Sequence, residues 1–374
     1  MKIPLFFFIF FGVYLLLNGY LYIRGLQMLP QGYIRLIYSI LFALLPLSFI
    51  AGMVLEDKFP IHVTSFLQIV GGTWLIASMY LFAFVLILDL IRVVDHFCHI
   101  FPEFITQNYQ TVKLITGISA LLLLTVVLII GNIHYNRIKT IHLTLHTTKP
   151  IAYKPKIVVV SDLHFGYTIT ADGAKKFVDA INRKQADIVL ICGDLFDRSL
   201  RPVIQARISD ELRKIKAAKI YAVLGNHEYY GGIDEALKYM RESGITPLRD
   251  SIAEPYLGIV IIGRDDRTNT RRKSIKELMR GHEKDFTILM DHQPYKLNKA
   301  EESGVDVQFS GHTHDGQVWP INLITRSIYE KSHGYLKKGH TTFYVSSGLG
   351  IWGPKIRIGT QSEIIVADIQ KDNL

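Results

Sequence analysis

Between Lys2 and Arg24 the chain carries no charged side chain, and Ile3–Ile23 is dominated by Phe, Leu, Ile, Val and Tyr. A bilayer hydrocarbon core of about 30 Å is crossed by roughly 20 apolar residues at helical rise, so this run is long enough to span one. A second apolar run lies between Arg35 and Glu56, with Pro46 as an expected kink. A third follows Lys58 and ends before Asp89, and a fourth extends from Leu114 to Ile133. Backbone groups in lipid must be bonded within their own segment, which makes a helix the reading of each run. The expected spans are residues 3–23, 36–55, 61–88 and 114–133, forming a transmembrane region over 1–133 ahead of a second domain over 134–374. The first run is longer than the apolar part of a cleaved signal peptide, and no small-residue cleavage site precedes Arg24.

Charge divides the chain at the same place. Residues 1–150 hold 9 Lys/Arg and 5 Asp/Glu, while residues 151–374 hold 33 and 28. The positive mean hydropathy of +0.22 therefore belongs to the membrane region rather than to the whole chain. So much apolar surface excludes a disordered or collagen-like polypeptide. The two cysteines, Cys98 and Cys192, lie too far apart in sequence to suggest a disulfide framework. An even number of spans puts the N-terminus and the second domain on one side. Lys2, Lys58, Arg137, Lys139 and Lys149 flank the spans there, against Arg24, Arg35, Arg92 and Lys113 on the other. By the positive-inside rule the expected side is cytoplasmic, in an integral, multi-pass membrane protein. The segment Asp95–His99 contains metal-ligating residue types, but nothing near it completes a closed site, and it is expected to be an interfacial loop.

Beyond Ile133 the periodicity changes. Ile141, Leu143 and Leu145 alternate with Thr and His, as in a half-buried strand. Short apolar runs at 156–160, 188–192, 220–224, 258–262, 286–290, 305–309, 342–345 and 363–369 read as further strands. Amphipathic stretches around Ala174–Ile181, Ile208–Ala217 and from Asp234 read as helices between them. This alternation points to a layered α/β fold.

Five of the strands are followed at once by residues suited to chemistry: Asp162 and His164, Asp194, Asn226 and His227, His292, and His312 and His314. Ligands of α/β sheets gather at the carboxyl ends of strands, so five loops can converge on one crevice. Glycines at 193, 225 and 311 let the chain turn sharply as it leaves three of them. Taken as ligands, Asp162, His164, Asp194, Asn226, His292, His312 and His314 offer carboxylate, imidazole and amide oxygen but no thiolate. That set suits divalent Mn, Fe or Zn, and seven side chains exceed what one ion needs. Two ions bridged by one carboxylate is the economical arrangement.

The blocks Asp162-Leu163-His164, Gly193-Asp194-Leu195-Phe196-Asp197, Gly225-Asn226-His227-Glu228, His292 and Gly311-His312-Thr313-His314 resemble, in order, those of the calcineurin-like metallophosphoesterases. The resemblance covers nearly all of 135–374. The tail Ser346–Gly350, Trp352-Gly353-Pro354 and Arg357-Ile358-Gly359-Thr360 is similar to the membrane-associated YkuE/YaeI-type bacterial phosphodiesterases, some relatives of which are assigned to lipid A precursor hydrolysis. The resemblance implies a sandwich of two sheets flanked by helices. It implies Asp162, His164 and His314 around a first ion, Asn226, His292 and His312 around a second, and Asp194 bridging both. His227 would protonate the leaving oxygen or stabilise phosphoryl charge, and Asp197 would orient it. Such ions activate water and neutralise phosphoryl oxygens.

Bland readings stand beside these. Asp197 could cap the next helix, Glu228 is expected at a helix start rather than on a metal, and His282, His333 and His340 are expected at the surface. The basic stretch Arg264, Arg267, Arg271, Arg272 and Lys273 is a solvated loop or a contact for phosphate or anionic lipid. The 348–354 loop, with Leu349, Ile351 and Trp352, is core packing or an apolar lip. The expected activity is metal-dependent hydrolysis of a phosphodiester or pyrophosphate, on a lipid-linked or nucleotide-linked substrate at the membrane surface. A narrower version is a UDP-2,3-diacylglucosamine-type pyrophosphohydrolase, and a rival is a membrane receptor or transporter whose domain only binds. Nucleic acid is an unfavoured partner, because the net charge of the second part is small and forms no long basic stripe. Oligomeric state is left open.

Overall fold

The computed structural model describes residues 5–372. Lys2, Ile3 and Pro4, at the start of the first expected span, lie outside the described residues. The chain divides into two compact units, Met1–Ile130 and Gly131–Leu374.

In the first unit, helices cover Leu5–Met28, Tyr33–Val54 and Ile61–Cys98, and a further helix, Tyr109–Asn136, begins there and ends in the second unit. All are long and apolar enough to cross a membrane. The second helix continues through Pro46. The third does not stop before Asp89 as expected but runs on to Cys98. Asp89 fails to end it because the carboxylate is neutralised where it stands, by Arg24 at 2.5 Å and Arg92 at 2.6 Å. Asp95 and His96 are accordingly helical rather than part of a loop, and Asp95 Oδ1 accepts a hydrogen bond from the Phe101 amide. A side chain at Gly71 would collide with the Phe49 backbone, which marks the close approach of the second and third helices that a small residue permits.

The second unit holds two six-stranded sheets. The strands are β1 (Lys139–Thr147), β2 (Lys156–Val160), β3 (Ile188–Cys192), β4 (Lys219–Val223), β5 (Thr246–Pro247), β6 (Ser251–Tyr256), β7 (Ile259–Gly263), β8 (Phe286–Met290), β9 (Val307–Ser310), β10 (Gly334–Lys338), β11 (Thr341–Val345) and β12 (Glu363–Lys371). One sheet has the order β1-β12-β2-β3-β4-β5 and the other β10-β11-β9-β8-β7-β6. In the first sheet β12 runs antiparallel to β2, and β2 through β5 are parallel. In the second, β11, β9, β8 and β7 are parallel, with β10 and β6 antiparallel at the edges.

Side chains alternate across each strand, and both faces of the central strands are covered, which is why these runs are continuously apolar. Val159, Leu190 and Val223 of one sheet meet Ile261, Ile288 and Phe309 of the other in the core between them. Val158, Val160, Val189 and Ile191 turn outward onto Phe177, Val178 and Ile181 of the helix Ala171–Asn182. Val260, Ile262 and Leu289 form the corresponding outer layer with Ile275, Leu278 and Ala300. The fold is thus a two-sheet α/β sandwich flanked by helices. Strands β5, β6 and β10 had no clear signal in the sequence. They lie at or near sheet edges and are rich in Pro, Ser, Glu or Lys. Only Ile208–Leu212 of the expected stretch 208–217 is α-helical. Beyond it the chain turns, with the Ile215 amide bonded to the Leu212 carbonyl while Ile215 stays in the core.

Candidate metal centre

All seven expected ligands lie just beyond the carboxyl ends of strands, four of them after the first sheet's β2, β3 and β4 and three after the second sheet's β8 and β9. Asn226 opens a short helix and His314 a 3-10 turn. The structure brings the six Asp and His residues into one cluster, and Asn226 follows directly on Gly225, which lies against Asp194. Asp162, His164 and His314 offer ligand atoms within 4.8 Å of one another, as do Asp194, His292 and His312, and His164, Asp194 and His227. His164 Nε2 lies 3.2 Å from His314 Nε2 and 3.7 Å from Asp194 Oδ2, and His314 Nε2 lies 3.6 Å from Asp162 Oδ1. His292 Nε2 faces Asp194 Oδ2 at 3.1 Å but without hydrogen-bond alignment. Asn226 Oδ1 is buried with no hydrogen-bond partner.

The backbone is bent to achieve this. Asp162, His164, Asp194, His312 and His314 all have φ between 48° and 72°, and they make up five of the twelve non-glycine residues with positive φ among the described residues. Such conformations cost of order 1–3 kcal/mol each and concentrate at functional sites. Glycine is required beside them for lack of space. A Cβ on Gly225 would collide with Asp194 Oδ1, and one on Gly311 with Asp162 Oδ2.

Supporting groups hold the ligands. The His312 amide donates to Asp162 Oδ1 at 3.0 Å, and the His227 amide donates to Asp194 Oδ1 at 3.0 Å. His292 Nδ1 bonds the Cys192 carbonyl at 2.7 Å, which turns Nε2 toward Asp194. Glu228 commits its carboxylate to backbone amides, as expected of a helix-start residue. It accepts from the amides of Asp194, Phe196 and Gly225, tying two ligand loops together. Asp197 does more than end a loop, since its Oδ1 accepts from His227 Nδ1 at 2.8 Å.

Burial and mutual charge set the protonation states. Burial pushes His164 down to about 3 and His312 down to about 4, and it holds His314 well below the usual imidazole range. Burial raises Asp162 to about 6. Burial would raise Asp194 too, but the cationic neighbours, His292 foremost, outweigh it and keep the carboxylate ionised. His227 is the reverse case: burial works against its charge, yet Asp194 and Asp197 lift it to about 9. Neutral imidazoles at His164, His312 and His314, an ionised Asp194 and an orphaned amide oxygen at Asn226 are states that metal ligation demands. The donor set therefore fits divalent cations, with His292 losing its proton on binding.

Two groups of consequence were not given a role from sequence. Arg357 is completely buried and donates through Nη2 to the carbonyls of Ser347, Gly348 and Gly350. Gly348 packs against the Asp162 side chain, so Arg357 braces the floor under that ligand. Its presence in the run 357–360 was the only signal. Asp266 is buried beside Gln293 and bears electrostatically on His292 and His312. Of the basic stretch, Arg264 and Arg272 are consumed by Asp291, at 2.9 and 2.8 Å. Arg267 stays exposed, stacked 4.0 Å over the Tyr295 ring. Leu349 and Ile351 are core residues, whereas Trp352 is partly exposed. His333 is not a plain surface residue either, since Nε2 lies 3.1 Å from Glu363.

Residues 155–316 match the calcineurin-like phosphoesterase family. A metallophosphoesterase of Helicobacter pylori is 36% identical over 217 residues, covering 56% of this chain and 58% of that protein's length. The chain thus spans less than two-thirds of that relative. One from Aquifex aeolicus is 29% identical over 241 residues, covering 61% of this chain and 90% of the relative. A bovine transmembrane protein with a metallophosphoesterase domain is 27% identical over 268 residues, covering 66% and 60%. Among solved structures, the NAD nucleotidase of Haemophilus influenzae aligns with a TM-score of 0.36 at 18% identity, over 54% of this chain and 46% of that one. Residues 155–316 of the chain therefore carry a calcineurin-like phosphoesterase domain.

Proposed function

We propose that the protein is a membrane-embedded phosphohydrolase that uses two divalent ions, Mn, Fe or Zn, to cleave a phosphodiester or pyrophosphate bond in a lipid-linked or nucleotide-linked substrate. The observation that carries this reading is the sharing of Asp194 between ligand groups: it stands with His292 and His312 in one and with His164 in another. Asp162, His164 and His314 would hold the first ion, Asn226, His292 and His312 the second, with Asp194 between them. Bound there, paired cations supply an activated water and neutralise phosphoryl oxygens.

The remaining work falls to the chain. His227, charged at neutral pH and buttressed by Asp197 on Nδ1, presents Nε2 as the proton donor for the leaving oxygen. The substrate side is read from the combination of the site with four helices able to cross a membrane. The catalytic domain is assigned to the cytoplasmic face on the distribution of Lys and Arg, and protease protection in sealed spheroplasts tests it. The activity is tested with purified protein, Mn and bis-(p-nitrophenyl) phosphate. Wild type should turn over, and Asp194→Asn should be at least about hundredfold slower, because a ligand to both ions is worth several kcal/mol in the transition state. A wild type no faster than Asp194→Asn would refute the reading.

A further inference from the structure

Directly after the His314–Gly316 turn the chain forms the helix Ile321–Ile328, and this helix presents an apolar face to solvent. Leu323, Ile324 and Ile328 are each more than half exposed, and so is Trp319 just before the helix. At helical spacing, positions 323, 324 and 328 fall within one arc of about 140°, with the small Ser327 between them. The other side of the helix is fastened to the metal centre. Asn322 is buried, and its backbone lies so close to Gly316 that a Cβ there would strike it. Arg326 reaches Asp315 at 3.4 Å, and Tyr329, the next residue after the helix, sets its ring 6.2 Å from that of His312.

A contiguous apolar patch on a short, well-anchored element marks a contact surface. Its surroundings say which kind. Segment 319–340 carries Arg326, Lys331, Lys337 and Lys338 against a single acidic residue, Glu330. Arg326 is paired with Asp315 and Lys338 with Glu330, so the segment keeps a net positive charge through Lys331 and Lys337. An apolar face on a net basic segment suits the boundary between headgroups and acyl chains of an anionic bilayer. The chain itself brings a bilayer within reach. The strand β1 follows, after Arg137 and Ile138 alone, a helix long and apolar enough to cross a membrane.

We propose that the helix Ile321–Ile328 is a membrane-contact lip, which sinks Leu323, Ile324, Ile328 and Trp319 into an anionic lipid surface and so holds the metal centre against it. The proposal rests on reading the domain as a phosphohydrolase at the membrane, and it makes amphiphiles drawn from the bilayer the favoured substrate class.

The test uses the full chain in nanodiscs of phosphatidylcholine and phosphatidylglycerol with brominated acyl chains. A fluorophore is placed on Ile324→Cys, in a Cys98→Ser background, and compared with one on Lys216→Cys. Bromine should quench the label at 324 several-fold more strongly. Equal quenching at both sites, or a label at 324 shielded from bromine and cross-linking to a second copy, overturns the proposal. In parallel, Leu323→Asp, Ile324→Asp and Ile328→Asp combined should slow hydrolysis of a vesicle-embedded phosphodiester at least about tenfold while bis-(p-nitrophenyl) phosphate hydrolysis stays within about twofold. Equal loss on both substrates also overturns it. If wild type cleaves neither substrate, the proposed activity falls, and the quenching result alone decides the lip.

Discussion

Nδ1 of His227 lies 2.8 Å from Oδ1 of Asp197, and both side chains are largely shielded from solvent. The pair keeps an imidazolium available beside the ligand cluster. Burial alone would discharge it, but Asp194 and Asp197 together raise its pKa to about 9. As a proton donor His227 must be charged, so kcat should hold through neutral pH and fall as pH rises past about 9. Asp197→Asn removes one of the two carboxylates, so its alkaline limb should move to lower pH. His227→Ala should lose roughly 10²–10⁴-fold in rate, with the alkaline limb abolished. An unshifted limb in Asp197→Asn would contradict the assignment.

Metal uptake should release protons. The carboxylates of Asp194 and Asp162 overcome burial and hold His292 protonated, and an incoming cation must displace that proton from Nε2. Affinity for Mn should therefore strengthen as pH rises through neutrality, for as long as His292 still carries that proton. Calorimetry in buffers of different ionisation enthalpy measures the proton count, and a pH-independent affinity with no proton release would refute this.

Gly225→Ala should disable the site although its backbone is not in the left-handed region. The new methyl group collides with Asp194 Oδ1, and overpacking of this kind costs about 1–3 kcal/mol. The folded domain should keep its far-ultraviolet circular dichroism, lose a few degrees in Tm and bind metal weakly. Full metal affinity in this variant would show that Asp194 can move without consequence.

Glu363 supplies a stability prediction away from the ligands. Burial would raise its pKa, but the His333 ring, foremost, and the Ser347 amide outweigh this and hold it below the usual carboxylate value. A depressed carboxyl contributes stability that is present above its unfolded pKa, about 4.3, and is lost as pH falls through the folded value. Glu363→Gln should therefore be less stable than wild type near pH 6, with the difference shrinking toward pH 3. Urea midpoints across that range measure it, and a constant difference would contradict the linkage.

Much of this molecule could be read from residue order because its strongest signals are local. A buried central strand such as Ile188–Cys192 must be apolar throughout, and a span such as Tyr33–Val54 must be nearly charge-free, so both announce themselves. The candidate ligands were legible because each follows such a strand. What was hidden depends on distant partners. Asp89 seemed to end a helix until Arg24, far back in the chain, neutralised it. Arg264 and Arg272 looked like surface cations but are neutralised by Asp291. Arg357 had no predicted role because its three carbonyl partners form a pocket only after the chain folds around it.

The central claim is that Asp194 joins two ions into one phosphoryl-cleaving site. Metal analysis of the purified, Mn-loaded full chain, with Asp194→Asn alongside, tests it most directly. The account predicts two ions per chain in wild type, and in the variant a loss of metal together with the loss of bis-(p-nitrophenyl) phosphate hydrolysis. One ion or none in an active wild type, or two ions retained by Asp194→Asn with undiminished activity, would contradict it.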